Sequence, residues 1–187
     1  MQSVRKIIAQ VAPAFVGQFG PKVTPDMIKT ALKELGFYDV YETAIGADMG
    51  AMAEAENYVK EVATGELPFL LTSCCPSWSM LAKKFFQETI DKISNELTPM
   101  VATARKIKED YPDASVVFIG PCASKKLEAS RRTVRSDVDF VITFEELDAM
   151  FIVQDIEFDD FGQGVPVEDA TGAGRGYAVA GGVADAI

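Results

Sequence analysis

The 187-residue sequence contains no histidine. This absence excludes Ser-His-Asp and Cys-His hydrolases, His-ligated zinc sites and c-type haem attachment, because each of these needs an imidazole. Cysteine is scarce as well: three occur, and two of them, Cys74 and Cys75, are adjacent. Three cysteines make a poor disulfide framework, so we expect a reducing, cytoplasmic compartment and thiols that are free to bind metal.

Long apolar runs and an excess of basic charge are also missing. No apolar stretch approaches the roughly 20 residues of a spanning helix. No cleavage site closes the short apolar stretch after Arg5 and Lys6, so we expect neither a membrane span nor a signal peptide. The chain carries 18 basic and 28 acidic residues, a net charge of −10. This charge argues against nucleic acid and anionic membrane surfaces as partners.

What the sequence does contain is a regular alternation of strand and helix patterns. Continuous apolar runs predict strands at 6–11, 38–43, 68–72, 114–119 and 139–143. Caps and helical spacing predict helices that begin near residues 25, 48, 76, 99 and 144. This alternation predicts an α/β fold in which mainly parallel sheets are flanked by helices.

Two of these helices have apolar residues whose spacing predicts a buried face. In the helix after residue 48, we expect Met49, Met52 and Val59 to face inward. In the helix that Pro76 opens, which we expect to continue to residue 93, Leu81 and Phe85 should do so.

Residues suited to chemistry are concentrated directly after two of the predicted strands. Residues 72–78 read TSCCPSW, and residues 120–128 read GPCASKKLE. Ligands in open α/β sheets bind beyond the carboxyl ends of the strands, and thiolates there suit iron–sulfur or other soft-metal chemistry. Pro76 starts a helix, so Cys75 can lie at a helix N-terminus, which favours a thiolate. Spacing alone leaves open that all three cysteines are buried small hydrophobes.

The two segments resemble the first two signatures of the FeFe-hydrogenase catalytic domain. The first signature reads threonine-serine-Cys-Cys-Pro-any-Trp, and the second reads Met-Pro-Cys-any-any-Lys-any-any-Glu. Weaker matches at 12–14, 46–48 and 172–187 extend the resemblance over nearly the whole chain. A third signature, with two more cysteines, is missing. We therefore expect residues 1–187 to be a truncated H-cluster domain, the N-terminal portion of the two-lobed iron hydrogenase large-subunit fold.

The resemblance implies an H-cluster in the full-length parent, a 4Fe–4S cubane joined to a two-iron unit, and implies that this fragment alone lacks it and is inactive. Cys75 and Cys122 match two ligands of the cubane. Cys74 matches the thiol that passes protons to the two-iron unit, and Lys125 matches a hydrogen-bond donor to a cyanide. Positions that line the cofactor pocket match three further residues: Pro13, Ala14 and Pro121.

Outward from Cys74, the family has a proton relay of carboxylates and one hydroxyl. Glu54 and Ser94 match two members of this relay. A further glutamate position falls on Asn57, which cannot carry a proton by ionisation, so the relay is incomplete here or leaves by another route such as water. From residue type alone, Glu54 could equally be an exposed helix carboxylate, and Ser94 a helix-end cap.

Three functions remain open from the resemblance. The chain is part of a hydrogenase that reversibly reduces protons to dihydrogen, of a hydrogen-sensing relative, or of an iron–sulfur assembly protein without hydrogen chemistry. Retention of Cys74 weighs against the third, since those relatives usually lack that thiol. Gly120 keeps the second open, because the common catalytic members have Met there, and we expect glycine to leave room beside the two-iron unit.

The resemblance also implies partners: protons and dihydrogen, a ferredoxin-like electron donor or acceptor, and maturation proteins. A basic cluster in this acidic chain is a candidate docking surface for an acidic electron donor. It could equally be a solvated helix face. Its members are Lys125, Lys126, Arg131, Arg132 and Arg135.

Overall fold

The computed structural model describes residues 5–161, 164–165 and 170–187. Its sheet consists of β1 (Ile7–Val11), β2 (Asp39–Glu42), β3 (Ser115–Gly120) and β4 (Phe140–Thr143). Every pairing is parallel, and the strand order is β2-β1-β3-β4. All six residues of β3 are buried, as expected of an inner strand with helices on both faces of its sheet. The predicted α/β class is confirmed.

The helices are α1 (Pro25–Glu34), α2 (Ala44–Asn57), α3 (Pro76–Phe85), α4 (Pro99–Asp110), α5 (Ser124–Ala129), α6 (Phe144–Val153), α7 (Gly172–Gly176) and α8 (Gly182–Ala186). A π-helical segment at Tyr58–Val62 extends α2, and a 3-10 helix at Gln87–Lys92 follows α3. Local signals set several of these ends: proline occupies the first turn of α1, α3 and α4, where its missing N–H costs nothing. No helix among the described residues is long and apolar enough to cross a bilayer.

The order of the strands creates a crevice at one edge of the sheet. After β1 the chain moves to β2 on one side, and β3 later pairs with the other side of β1. The strand order therefore reverses between β1 and β3, and ligands of open α/β sheets bind beyond the carboxyl ends of strands at such a point. The segments that leave the sheet there are residues 12–14 and 121–125.

The predicted strand at 68–72 is wrong. Leu71 makes only a single parallel bridge, with Ile93. Leu71 N donates to the carbonyl oxygen of Lys92, and Ser94 N donates to that of Leu71, both at 2.8 Å. A short apolar run cannot by itself be assigned to a sheet, and this one packs outside it. The bridge places Ser94 beside the segment that leads to the two adjacent cysteines.

The predicted inward face of α2 is also wrong. Met49, Met52 and Val59 are exposed, and the buried face consists of small residues and Glu54. The reason is the close approach of α2 to α4. Gly46 N donates to Thr103 Oγ1 at 3.0 Å, and a Cβ added at Gly46 would lie 2.5 Å from that oxygen. Only a face of small residues permits such a distance between two helices.

The helix predicted from Pro76 to residue 93 is shorter than expected. α3 ends at Phe85, and a 3-10 turn at Gln87–Lys92 completes the connection. Leu81 and Phe85 are exposed, whereas Ser79 and Ala82 form the buried face. Here, as in α2, the side that faces the rest of the chain carries the smaller side chains.

Candidate functional site

A cavity of about 180 Å³ lies at the carboxyl end of the sheet, where the strand order reverses. Its wall is formed by residues of β3, α2, α4, α5 and α8, by the segments that follow β1, β2, β3 and α7, and by Cys74. Six of the residues predicted from the sequence line it: Pro13, Ala14, Cys74, Pro121, Cys122 and Lys125. Its size is below the roughly 300–1,000 Å³ of drug-sized pockets, so it suits a compact group.

Lys125 connects two sides of this cavity. Its Nζ donates to the carbonyl oxygen of Cys74 at 3.1 Å and to Glu128 Oε2 at 2.8 Å. Glu128 is 2% exposed, and its other oxygen accepts a hydrogen bond from Thr98 Oγ1 at 2.8 Å. The buried carboxylate is thus both paired and hydrogen-bonded, as its burial requires. In the described part of the chain no third partner meets the ammonium, which leaves one donor for a ligand.

Cys122 is exposed and has a favourable environment for a thiolate. Its Sγ lies 2.9 Å from Ser124 Oγ. The hydrogen bond from the Ser124 hydroxyl lowers the pKa of the thiol, the backbone amides of Ser124 and Lys125 and the Lys125 charge act in the same direction, and desolvation opposes them. Lowered pKa and exposure together are typical of a cysteine that binds metal or reacts.

The two adjacent cysteines differ in environment. Cys75 is exposed and forms the N-cap of α3, where its Sγ accepts the N–H of Trp78 at 3.4 Å. The predicted position at a helix N-terminus is therefore confirmed. Cys74 is half-buried, and its burial raises the pKa of the thiol despite a hydrogen bond with Thr72 and the Lys125 charge. Cys74 lines the cavity, whereas Cys75 is not among its lining residues.

A gap of about 10 Å³ lies between Cys74 and Glu54, both of which line it. A cavity of this size holds about one water molecule. Glu54 is 5% exposed, and its Oε2 has no hydrogen-bond partner among the described residues. Burial raises the pKa of this carboxyl, and a hydrogen bond with Ser94 partly opposes that shift. The interpretation of Glu54 as an exposed carboxylate is thus wrong, and Ser94, which acts on it, is also buried.

Tyr177 is a residue of the site that the sequence reasoning missed. It lines both the larger cavity and the gap, together with Cys74. Burial raises its pKa to about 12, and negative charge at Cys74, Glu54 and Asp48 adds to the shift. The phenol therefore keeps its proton at neutral pH. In the sequence, only its place as an aromatic residue within a glycine-rich run could have suggested it.

Contacts with α2 and β2 hold α7, and with it Tyr177, over the site. Arg175 binds Glu42 through two hydrogen bonds, of 2.8 and 2.7 Å. Gly174 N donates to Asp48 Oδ1 at 2.9 Å. A Cβ at Gly174 would lie 2.7 Å from the same oxygen, so glycine is needed for this approach.

Comparison with known proteins places this arrangement in a family. The family described as "Iron only hydrogenase large subunit, C-terminal domain" matches residues 5–187. The chain belongs to this family. Iron hydrogenase 1 of Clostridium pasteurianum is 33% identical over 194 residues, which cover 95% of this chain and 33% of that protein. The apo FeFe-hydrogenase HydA1 of Chlamydomonas reinhardtii, in a variant form, has a TM-score of 0.75 at 27% identity, covering 92% of this chain and 48% of that one.

A second group of relatives has a different described role. The cytosolic Fe-S cluster assembly factor NAR1 of Kluyveromyces lactis is 36% identical over 92 residues, which cover 49% of this chain and 20% of that protein. The chain is thus similar both to hydrogenases and to an assembly factor. This chain spans about a third of the clostridial hydrogenase and about half of the Chlamydomonas chain.

In this member of the family, Gly120 does not leave the space expected from the sequence. A Cβ added at Gly120 would lie 2.6 Å from ring atoms of Phe118 and 3.2 Å from the Cβ of Ala12. Phe118 is buried and lines the cavity. The expectation of added room is wrong, because an aromatic ring two residues earlier in β3 fills it.

The basic cluster predicted from the sequence is divided in the structure. Lys125 points into the site, and Lys126 forms an ion pair with Glu146. The three arginines of the cluster are exposed: Arg131, Arg132 and Arg135. A docking surface on this hydrogenase-family chain would therefore consist of the arginines rather than of all five cations.

The cysteines of the site fit an iron–sulfur cluster in chemistry but fall short of it in number. Thiolates are the usual ligands of such clusters, and a 4Fe–4S cluster takes four of them. Cys75 and Cys122 offer two exposed thiols. Across residues 5–161, 164–165 and 170–187, no three His, Cys, Asp or Glu side chains converge in a way that could hold a metal ion.

Proposed function

We propose that this chain is part of an H-cluster domain that interconverts protons and dihydrogen. Cys75 and Cys122 would supply two thiolate ligands of the 4Fe–4S cubane, and the cavity would receive the two-iron unit. The contact between Lys125 and the carbonyl oxygen of Cys74 carries this proposal, since it joins the two cysteine segments at the crevice of the sheet. Residues 1–187 would then be a truncated H-cluster domain, and the remaining ligands would come from outside this segment.

The side chains around the cavity suit the binding of such a group. When bound, the cluster supplies the iron centre and the electrons for the reaction. The free donor of Lys125 would hydrogen-bond an anionic atom such as a cyanide nitrogen, which needs a donor in a dry pocket. Pro13, Ala14 and Pro121 line the cavity without offering a side-chain donor or acceptor, so they exclude water from it.

We propose Cys74, Glu54 and Ser94 as the residues that move protons. Burial raises the pKa of the Cys74 thiol, so the thiol carries its proton at neutral pH and can donate it. Cys74 lines both the cavity and the gap, so it faces the cofactor position on one side and Glu54 on the other. One water in the gap would link the thiol to Glu54 Oε2, which has no partner among the described residues.

The proposed partners follow from this reaction. Electrons would be exchanged with a ferredoxin-like carrier in the cytoplasm, attracted by the exposed Arg131, Arg132 and Arg135 through electrostatic steering. Maturation proteins would load the cluster. A hydrogen-sensing role would use the same site and differ in turnover and in the domain attached to it.

The similarity to NAR1 supports a second candidate, an iron–sulfur assembly factor without hydrogen chemistry. Such a factor needs thiolate ligands but no proton route to a reacting iron. The buried Glu54 beside the gap at Cys74 favours the first candidate, because a buried carboxyl with an unpartnered oxygen costs stability, and such groups cluster at functional sites.

The experiment compares Cys74→Ser, Cys75→Ser and the unchanged protein in the gene product that contains residues 1–187, after maturation. We expect Cys75→Ser to lose iron, because it removes a thiolate ligand. We expect Cys74→Ser to keep its iron and lose most hydrogen turnover, because a serine hydroxyl is far less acidic than a thiol. Iron content and hydrogen evolution are measured side by side.

The outcomes separate the candidates. Loss of iron in Cys74→Ser with retention in Cys75→Ser would reverse the assignment of the adjacent cysteines. Full iron with no hydrogen turnover in the unchanged protein favours the assembly factor. Slow turnover, with a response of an attached signalling domain to dihydrogen, favours the sensor.

A further inference from the structure

The carboxylate of Glu96 is hydrogen-bonded to Asn57, the position at which the resemblance expects an acid. Asn57 Nδ2 donates to Glu96 Oε1 at 2.9 Å. Glu96 N in turn donates to Ser94 Oγ at 3.1 Å. The amide of Asn57 cannot ionise, but it holds a carboxylate that can. Glu96 is outside both cysteine segments, and the sequence reasoning did not single it out.

Hydrogen bonds continue inward from Ser94 to the buried carboxyl. Ser94 Oγ accepts from Glu96 N at 3.1 Å, which leaves the serine hydroxyl free to donate. Its interaction with Glu54 lowers the pKa of that carboxyl, against the effect of burial. The negative charges of Glu96 and Glu61 act on Glu54 along with its burial. Glu54 therefore lies between the serine hydroxyl and the gap beside Cys74, and its Oε2 has no partner among the described residues.

On the outer side, Ser94 and Glu96 both line a polar cavity of about 340 Å³. A cavity of this size holds several water molecules. Its wall also carries charged side chains: Lys83, Arg105, Glu128 and Arg131. Of these, Arg105 is paired with Asp137, and Glu128 with Lys125. Glu96 thus lines the polar cavity, its carboxylate accepts from Asn57, and its backbone N–H donates to Ser94.

We propose that Glu96 is the solvent-side proton carrier for Glu54, with Ser94 between them and Asn57 as the positioning residue. A proton from water in the 340 Å³ cavity binds the Glu96 carboxylate. It passes through a cavity water to Ser94 Oγ while the serine hydroxyl hydrogen moves to Glu54, so that Ser94 ends neutral. One proton moves inward, and no oxidant or reductant is needed. Its use in hydrogen turnover rests on the proposed function, but the path is a property of this chain alone.

The test follows exchange of the Glu54 carboxyl proton with deuterium in the 187-residue chain. The infrared band of protonated Glu54 is assigned by its loss in Glu54→Gln, and exchange is measured at a pH where that band is present. We expect Glu96→Gln to slow exchange by about tenfold to a hundredfold. Glutamine keeps the oxygen that accepts from Asn57, so the local contact is retained.

Two further variants separate proton carriage from a structural role. Adding Asn57→Glu to Glu96→Gln restores an ionisable group at the neighbouring position and should recover most of the rate. Glu56→Gln removes an exposed carboxylate from the same helix and should leave exchange unchanged. Thermal unfolding is followed by circular dichroism for every variant, to show that each is folded.

Each outcome bears on the proposal. An unchanged rate in Glu96→Gln overturns it, as does slowed exchange that Asn57→Glu fails to recover, or the absence of a protonated Glu54 band across the pH range of the folded chain. Exchange that depends on Glu96, combined with no hydrogen turnover in the matured gene product, refutes the proposed function and leaves this path standing. Hydrogen turnover with exchange independent of Glu96 refutes this path alone.

Discussion

Lys125 Nζ lies 3.1 Å from the carbonyl oxygen of Cys74, a residue 51 positions earlier in the chain. This contact connects α5 to the segment that carries the two adjacent cysteines. It also sets one wall of the cavity, because both residues line it. The same ammonium neutralises Glu128, so the geometry of the site depends on a buried ion pair.

Replacing Lys125 by methionine should therefore destabilise the chain by about 3–5 kcal/mol, because the buried Glu128 loses its charge partner. The free energy of unfolding is measured by urea titration. Adding Glu128→Gln should recover part of the loss. Lys106→Met, which breaks the exposed pair with Asp110, is the control and should change stability little. If Lys125→Met and Lys106→Met lowered the free energy of unfolding by similar amounts, the buried position of the Glu128 pair would not be what makes it important.

Gly120 and Phe118 compete for one space. Gly120→Met should destabilise the chain by about 1–3 kcal/mol, because a side chain there overlaps the Phe118 ring. Combining it with Phe118→Val, which removes the ring, should cost less than the sum of the two single changes. A double-mutant cycle from urea unfolding measures this coupling. Additive effects would show that the two side chains do not share the space.

The stability of the chain should fall as the pH rises above the ordinary pKa of a glutamate, and Glu54→Gln should remove that component. Burial raises the pKa of Glu54 above 4.5 in the folded chain, so within this window the folded state binds more protons than the unfolded state. Unfolding free energy then decreases with pH from 4.5 up to the folded pKa and is level above it. The unfolding free energy of Glu54→Gln minus that of wild type should therefore increase with pH over that window.

The measurement is urea unfolding at a series of pH values, with Glu56→Gln as the exposed control. The difference in unfolding free energy between Glu56→Gln and wild type should not change between pH 4.5 and the folded pKa of Glu54. A Glu54→Gln difference that stays constant with pH would mean that Glu54 has the same pKa in both states, and that its burial is relieved by solvent.

The 187-residue chain by itself should bind less than one full cluster and evolve no dihydrogen. The reason is that metal sites bind weakly without their complete set of ligands, and this chain offers two of the proposed ligands, Cys75 and Cys122, for a cluster that takes four. Iron and sulfide are measured after reconstitution, in wild type and in Cys122→Ser. We expect the serine variant to lose most of the iron that wild type retains. Hydrogen evolution by the chain alone would refute the proposal that the cluster needs ligands from outside this segment.

Several features of this protein could be read from the sequence because their causes are local. Strand and helix alternation follows from apolar periodicity, and the helices at Pro25, Pro76 and Pro99 begin where proline and capping residues direct them. The residues near the crevice were identifiable for a similar reason. Both cysteine motifs are contiguous in the sequence, so they can be recognised without knowing which residues pack around them.

Other features depend on contacts between distant residues, which no local pattern contains. The apolar run at 68–72 has strand composition, yet Leu71 bridges Ile93 outside the sheet. The methionines of α2 have helical spacing, yet the approach of Thr103 to Gly46 buries the small face instead. In both cases the pattern describes what a segment can bury, and the neighbouring elements decide what it does bury.

The sequence by itself determined the fold class, the cysteine motifs and the absence of any site that needs a histidine. Only the tertiary structure decided that Phe118 fills the space beside Gly120, that Tyr177 reaches the site, and that Glu96 contacts Asn57 and Ser94. The physical reason is that hydrogen bonds and steric exclusion act over about 3–4 Å. Residues that are distant in sequence come within that range only when the whole chain folds. Their interactions therefore exist only in the folded protein.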